Sequence, residues 1–191
     1  MINATDYVAS LIERARKAQQ IAEGFSQERV DHLTKAIVWN IVKPDNADKI
    51  SKLAVEETQY GNYDSKYAKL MTKLKGALRD MEGKKSMGVI ERNEEKGLIK
   101  IAKPVGVIGA VIPVTNPEAT PVLKAIMSIK TRNAIVMSPH PKSKATNTYI
   151  VNIIRDVLKK YDAPEDLVIG IEEPTLDISQ ELMKQSDLVL A

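Results

Sequence analysis

The sequence lacks cysteine altogether. Disulfide bonds, thiolate metal ligands and a cysteine nucleophile are therefore excluded within these 191 residues. Histidine is scarce as well, with two residues, so the composition predicts no metal site. Aromatic residues make up 4% of the chain, which leaves few rings for bases to stack on and disfavours binding of single-stranded nucleic acid.

Long apolar runs and a strong charge of one sign are also absent. No run approaches the roughly 18 apolar residues of a membrane-spanning helix, and no signal peptide is recognisable. The net charge of +3 arises in residues 1–100 and forms no basic stretch that could follow a phosphate backbone. We therefore expect a soluble, cytoplasmic protein whose partners include neither a membrane nor a nucleic acid.

Residues 5–83 carry a helical period. Apolar residues recur three and four positions apart in successive segments, which predicts four helices. Pro44 is expected to end the second helix, and the third is expected to run from about residue 46 to residue 59 and to stop at Gly61. The fourth helix is the longest and is expected to reach Gly83.

The period shortens to two after residue 85. Residues 87–92 and 98–103 are predicted strands joined by the polar turn 93–97, and together they form a β-hairpin. Ile99 and Ile101 share one face of the second strand. An isolated hairpin is only marginally stable, so we interpret it as an oligomer or interdomain contact, with a simple surface hairpin as the alternative.

Strands and helices alternate in the remainder of the chain, and the strands are apolar on both faces. This pattern predicts an α/β fold in which a doubly wound, Rossmann-like parallel sheet is covered by helices on both sides. Gly106 and Gly109 lie within the first predicted strand and are expected to allow close packing. The predicted strands cover residues 105–112, 134–137, 167–169 and 188–191, and the helices cover residues 118–130, 145–161 and 177–184.

These patterns divide the chain into three parts. Residues 1–84 are helical, residues 85–104 form the hairpin, and residues 105–191 form the Rossmann-like segment. The apolar strand at residues 188–191 would have to be covered by residues that this chain does not contain. We therefore expect the chain to be the first part of a longer protein, with a natural domain that ends there as the alternative.

Ligands of a doubly wound sheet bind at the carboxyl ends of its strands. The loop after the first strand contains Asn116, which has two interpretations. Its side chain caps the helix that is predicted to follow, or its amide donates to an oxygen on which negative charge develops. After the second strand, His140 is flanked by prolines in an extended segment and is well placed to contact a ligand, whereas His32 is expected to be a solvated surface residue.

Five short segments stand out in chain order: Ile90-Glu91-Arg92-Asn93, Ala102-Lys103-Pro104-Val105-Gly106-Val107-Ile108, Pro113-Val114-Thr115-Asn116-Pro117, Lys130-Thr131-Arg132-Asn133 and Ser138-Pro139-His140-Pro141. Together they resemble the CoA-acylating aldehyde dehydrogenases, over roughly residues 5–191. The nearest resemblance is to the aldehyde half of bifunctional aldehyde–alcohol dehydrogenases. Ala119-Thr120-Pro121 is also similar to acylating sulfoacetaldehyde dehydrogenases.

The resemblance implies an oxidoreductase with a Rossmann-type cofactor domain, an oligomerisation hairpin and a catalytic domain that supplies a cysteine. In that family the thiolate attacks an aldehyde, hydride passes from the thiohemiacetal to NAD or NADP, and coenzyme A takes the acyl group. The resemblance also implies that Asn116 donates to the oxyanion and that Lys124 lies near the site, with an exposed helix residue as the alternative for Lys124. The residues implied to line the cofactor are Ile112, Pro113, Val114, Thr115, Ser138, Pro139 and His140.

Two departures from the family pattern bear on function. Hydrolytic members carry a lysine and a glutamate at the adenine ribose, whereas this chain has the acylating pattern at residues 138–141, which leaves NAD and NADP open. The family's glycine-rich turn is expected directly after Ala191 and its cysteine much later, so we expect the isolated chain to be inactive. A small aldehyde and coenzyme A are the expected partners, in a homo-oligomer when full length. The alternatives are a truncated hydrolytic aldehyde dehydrogenase or acyl-phosphate reductase, and a non-catalytic assembly module.

Overall fold

The structure is a computed structural model that describes residues 3–191, and its first part is helical. Asn3, Ser26 and Asn62 each accept a hydrogen bond from a backbone N–H group in the first turn of the helix that follows. These side chains satisfy donors that have no partner inside the helix, and so they define where three of the helices begin. The helices are α1 (Ala4–Ala22), α2 (Gln27–Ile41), α3 (Pro44–Thr58) and α4 (Tyr63–Met81).

The predicted hairpin follows. Strands β1 (Gly88–Asn93) and β2 (Leu98–Ala102) pair antiparallel as a two-stranded sheet. Leu98, Ile99 and Ile101 are each more than half exposed. The hairpin therefore presents apolar side chains at the surface of the described chain.

The second half of the chain forms a parallel sheet. Its strands β3 to β6 are arranged in the order β5-β4-β3-β6, and each neighbouring pair is parallel. Strands β4 and β5 are added in turn on one side of β3, and β6 is then added on the other side. The direction in which strands are added therefore reverses between β3 and β6. In doubly wound sheets such a reversal marks the ligand crevice. The strands are β3 (Val107–Ile112), β4 (Ala134–Pro139), β5 (Val168–Gly170) and β6 (Leu188–Leu190); the helices are α5 (Thr120–Lys130), α6 (Lys144–Lys160) and α7 (Leu176–Gln185), with short 3-10 helices at Pro141–Ser143 and Glu165–Leu167.

Helices cover both faces of the sheet. α1 and α7 pack against each other and against one face, and α5 and α6 pack against the other. α2 lies on α5 and α6, while α3 packs against α4 and α6. Buried apolar side chains of the N-terminal helices and of the sheet belong to one cluster. The doubly wound, Rossmann-like architecture is confirmed, and no helix within residues 3–191 is long and apolar enough to cross a membrane.

Some helix ends differ from the prediction for local reasons. Pro44 is the first residue of α3, and so it does more than end α2. Proline is tolerated there because backbone N–H groups in the first helical turn have no partner inside the helix, so the missing N–H of proline costs nothing. Gln59 adopts the left-handed conformation at φ 60° and ends α3 two residues before the predicted stop at Gly61. α5 begins at Thr120, two residues later than predicted.

Gly106 and Asp187 define the start of β3 and the register of β6. Gly106 has φ 123°, where side-chain-bearing residues rarely lie, so β3 begins at Val107 and not at residue 105. A Cβ on Gly106 would collide with the Asp187 carboxylate, which accepts a hydrogen bond from Val107 N at 2.7 Å. Asp187 N in turn donates to Val107 O at 2.9 Å. Gly109 lies inside β3, where a Cβ would collide with Ser186 Oγ, so its predicted packing role is confirmed.

Candidate cofactor cleft and oxyanion site

The loop between β3 and α5 places Asn116 at the carboxyl end of the first parallel strand. Asn116 Oδ1 accepts a hydrogen bond from Lys69 Nζ at 2.7 Å, and Asn116 Nδ2 donates to Thr115 Oγ1 at 3.3 Å. The capping position of α5 is occupied by Ala119, so the interpretation of Asn116 as a helix cap is wrong. The half-buried amide is instead held by other side chains, and its role as an oxyanion donor stays a prediction.

Two lysines of α4 and Glu118 form a lysine–glutamate cluster beneath this loop. The Glu118 side chain is 0% exposed, and the Lys66 side chain is 3% exposed and donates to Glu118 Oε2 at 3.1 Å. Lys66 Nζ also donates to Thr115 O at 2.7 Å, and Lys69 Nζ lies 3.6 Å from Glu118 Oε1. Positive charge nearby is what makes a buried carboxylate tolerable. Sequence reasoning missed this cluster, because its two segments lie about 50 residues apart and no local pattern joins them.

Lys124 lies at the crevice between β3 and β6. Its Nζ donates to Val111 O at 2.8 Å and to Leu190 O at 2.9 Å, so it ties together the carboxyl ends of two neighbouring strands. Burial lowers the pKa of the Lys124 ammonium group. The alternative interpretation of Lys124 as an exposed helix residue is therefore wrong, while its proximity to the reacting atoms stays a prediction.

The end of β4 positions the next group of predicted residues. β4 extends through Pro139, which lies opposite Ile112, so Ser138 and Pro139 are part of the strand and do not follow it as predicted. Ser138 is 1% exposed, and its Oγ lies 2.8 Å from Ser179 Oγ on α7. The carboxyl end of β4 is thereby joined to α7 through a pair of hydroxyl groups.

His140 follows β4 directly and is exposed. Its backbone N–H donates to Ile112 O at 3.1 Å, which holds the ends of β3 and β4 together. Its Nδ1 accepts a hydrogen bond from Lys142 N at 3.1 Å, so in the neutral ring Nε2 is the atom that can donate. His32 is an exposed residue of α2, as expected, with its ring edge to face with Tyr161 at a centroid distance of 4.9 Å.

The residues predicted to line a cofactor lie at the ends of β3 and β4, and their contact with a nicotinamide dinucleotide stays a prediction. Ile112, Pro113, Val114 and Thr115 follow one another there, and the exposed Pro113 and Thr115 are accessible to a flat ring. The exposed His140 imidazole is suited to a ribose hydroxyl group. The Ser138 hydroxyl is buried against Ser179 Oγ and is not accessible to a ligand, so the structure does not support direct cofactor contact by this side chain. The sequence contains no G-x-G-x-x-G turn for a pyrophosphate. Within the described part of the chain, no group of three or more His, Asp or Glu side chains is placed to hold a metal ion.

A sequence profile of the aldehyde dehydrogenase family matches residues 3–190. The chain belongs to the aldehyde dehydrogenase family. Sulfoacetaldehyde dehydrogenase (acylating) from Bilophila wadsworthia is 46% identical over 184 residues, which make up 96% of this chain and 40% of that protein. The crystal structure of an acetylating aldehyde dehydrogenase from Geobacillus thermoglucosidasius has a TM-score of 0.91 to this chain at 32% identity, and the match covers 98% of this chain and 42% of that one.

The expected resemblance to acylating members of the family is confirmed by these matches. An aldehyde–alcohol dehydrogenase from Clostridium acetobutylicum is 37% identical over 176 residues, which cover 92% of this chain and 20% of that protein. The sulfoacetaldehyde relative is thus the more similar of the two, the reverse of the order that the motifs predicted. The chain spans about 40% of the length of the acylating relatives that it matches.

Proposed function

We propose that this chain is the cofactor-binding part of an acylating aldehyde dehydrogenase, which oxidises a short aldehyde to its acyl-CoA or catalyses the reverse reduction. The observation that carries the proposal is the Asn116 amide at the carboxyl end of β3, whose Oδ1 is bound by Lys69. Because Oδ1 is occupied by that contact, Nδ2 is the atom of the amide that can donate a hydrogen bond to a substrate oxygen. When a thiolate adds to an aldehyde, negative charge develops on the carbonyl oxygen, and a fixed donor stabilises it.

The nicotinamide cofactor is held, in this proposal, along the carboxyl edge of the sheet. Residues 112–115 line the nicotinamide, and His140, which is exposed whereas Ser138 and Pro139 are buried, faces the adenosine ribose. When bound, NAD or NADP accepts the hydride that leaves the aldehyde carbon. Lys124 fixes the carbonyl groups that end β3 and β6 on either side of the crevice.

The thiolate comes from residues outside this chain, because the chain has no cysteine. The acyl thioester formed on that sulfur passes to the thiol of coenzyme A, which regenerates the thiolate. The overall reaction converts an aldehyde, CoA and NAD(P)⁺ into acyl-CoA, NAD(P)H and a proton. The isolated chain therefore does not turn over.

The hairpin serves assembly in the same proposal. Ile99 and Ile101 expose 53% of their surface each, and a second copy or the catalytic domain covers them in a cytoplasmic homo-oligomer. The chain then comprises helices in residues 1–84, an assembly hairpin in 85–104 and the Rossmann-like segment in 105–191. We expect Ile99→Glu with Ile101→Glu to reduce the particle mass of the enzyme in light scattering, and an unchanged mass contradicts this role.

The test uses the polypeptide in which these residues are joined to the cysteine-bearing catalytic domain. NADH or NADPH formation from short aldehydes is expected to consume CoA stoichiometrically. Oxidation that proceeds equally well without CoA contradicts the acylating reaction and supports the hydrolytic alternative, and a requirement for inorganic phosphate supports the acyl-phosphate alternative.

Asn116 is tested in the same assay. Asn116→Ala is expected to lower kcat by roughly 10²–10³-fold, the loss typical of one oxyanion donor. Asn152→Ala, at an exposed position of α6, is the matched control and is expected to leave kcat unchanged. Full activity of Asn116→Ala would show that the amide has no part in catalysis.

A further inference from the structure

We propose that Lys69 is a positioning residue that sets the orientation of the Asn116 amide. The inference rests on the proposed function of Asn116 and adds a residue that neither the motifs nor the family resemblance pointed to. It starts from the 2.7 Å contact between Lys69 Nζ and Asn116 Oδ1, which joins α4 to the loop at the end of β3.

A primary amide has two ends of nearly equal shape, and only one of them can donate. An ammonium group has three donors and no acceptor, so an amide that faces it presents its oxygen. Lys69 therefore selects the orientation in which Nδ2 points away from α4. Thr115 Oγ1 lies 3.3 Å from Nδ2 and accounts for one of its two hydrogens, which leaves the second for an oxygen in the cleft.

The charge on Lys69 also strengthens the donor that it positions. A cation that donates to an amide oxygen draws electron density from the amide nitrogen, and linked hydrogen bonds of this kind reinforce one another. The positive charge thus lies one amide group away from the place where negative charge is proposed to develop. A neutral side chain of similar length at residue 69 provides neither effect.

Glu118 holds Lys69 in place. Its Oε1 is buried without a hydrogen-bond partner among the described residues, and Lys69 Nζ lies 3.6 Å from it. Its Oε2 is paired with the buried Lys66. Lys69 is 37% exposed, whereas Lys66 is 3% exposed. Lys66 therefore supports mainly the fold of the loop, while the more exposed Lys69 directs the amide.

The test is a double-mutant cycle in the acylating enzyme that contains these residues. Lys69→Met is expected to lower kcat by roughly 10–100-fold, less than loss of the donor itself, with the KM values for aldehyde and cofactor changed less than about threefold. Lys69→Arg keeps a cationic donor and is expected to recover most of the activity. Lys73→Met is the control, because Lys73 lies one turn further along α4 and is exposed. In the Asn116→Ala background, Lys69→Met is expected to have no further effect, since it acts through that amide.

Three outcomes overturn the inference. The first is that Lys69→Met leaves kcat unchanged while Asn116→Ala lowers it as expected. This result overturns the role of Lys69 and leaves the proposed function intact. Another is an equal fall in kcat from Lys69→Met with and without Asn116, which shows an independent action. The last is full activity of Asn116→Ala, which removes the proposed role of Asn116 and the inference together.

A second measurement does not depend on activity or on the catalytic domain. In the ¹⁵N-labelled chain of residues 1–191, the side-chain amide signals of Asn116 are assigned by their loss in Asn116→Ala. Lys69→Met is expected to shift these signals and to speed their exchange with water, while Lys73→Met leaves them in place. Signals that are the same in Lys69→Met and in the unmodified chain overturn the inference, even if the variant enzyme is unstable.

Discussion

Replacement of Lys66 by methionine tests how the buried charges beneath the β3–α5 loop are balanced. Lys66 Nζ lies 3.1 Å from Glu118 Oε2, and both side chains are almost completely buried. Methionine keeps the approximate length of the side chain and removes its charge. Glu118 is then left buried with Lys69 Nζ, at 3.6 Å, as its nearest positive charge.

The expected loss follows from the burial of this pair. Removal of one partner of a buried ion pair costs about 3–5 kcal/mol, because the remaining charge stays desolvated without its counterion. Lys69 compensates part of the charge, so we expect a loss of about 3 kcal/mol in the free energy of unfolding. The lost hydrogen bond to Thr115 O acts in the same direction. For a chain of about this length, such a loss lowers Tm by roughly 6–12 °C.

Urea unfolding followed by circular dichroism measures this loss. Glu118→Gln in the Lys66→Met background is expected to recover at least half of it, since the uncompensated charge is gone. Lys17→Met removes the exposed ion pair with Glu13 and is the control, expected to change stability little. A loss below about 1 kcal/mol in Lys66→Met, or no recovery in the double variant, would refute the reasoning that the buried carboxylate depends on Lys66.

The remaining predictions concern packing and pH. Gly109→Ala places a Cβ against Ser186 Oγ and is expected to lower the free energy of unfolding by about 1–3 kcal/mol, as measured by thermal unfolding. Gly76→Ala on α4 has open space around it and is expected to raise the free energy of unfolding by about 0.5–1 kcal/mol. Burial raises the pKa of Asp166, but the hydrogen bonds from Arg14 and Arg155 outweigh it and leave that pKa lowered. The carboxylate therefore contributes stability above about pH 4, and this contribution is lost as the pH falls through the lowered native pKa. Asp166→Asn is expected to be less stable at pH 7 and to lose less stability between pH 5 and pH 3 in urea titrations, and an unchanged slope contradicts this assignment.

The architecture could be predicted because it depends on patterns that repeat along the chain. Buried parallel strands are apolar on both faces, and amphipathic helices repeat every three to four residues, so their alternation defines the doubly wound sheet. The position of Asn116 at a strand end followed from the same alternation. The hairpin strands came within one residue of their predicted ends, because the polar turn between them is a local signal.

The support of the site could not be predicted, because it depends on contacts between distant segments. Acidic residues such as Glu118 are common in the first turn of a helix, where they are usually exposed. The structure instead buries Glu118 against Lys66 from α4, and α5 begins only at Thr120. Lys124 lies on a helix, where a lysine is usually exposed, and its reach to two strand ends depends on how α5 packs across β3 and β6. Neither contact leaves a signal in the spacing of neighbouring residues.

The close approach of Gly106 to Asp187 links the evolution of two positions 81 residues apart in the chain. Any residue with a Cβ at position 106 displaces the carboxylate that anchors the amide of Val107, so a change there is tolerated only with a change at position 187. Among homologous sequences, we expect the glycine and the aspartate to be kept or lost together. The pair then serves as a marker for aligning these sequences. Where both residues are present, β6 is expected to join the sheet in the register that places Asp187 at the backbone amide of residue 107.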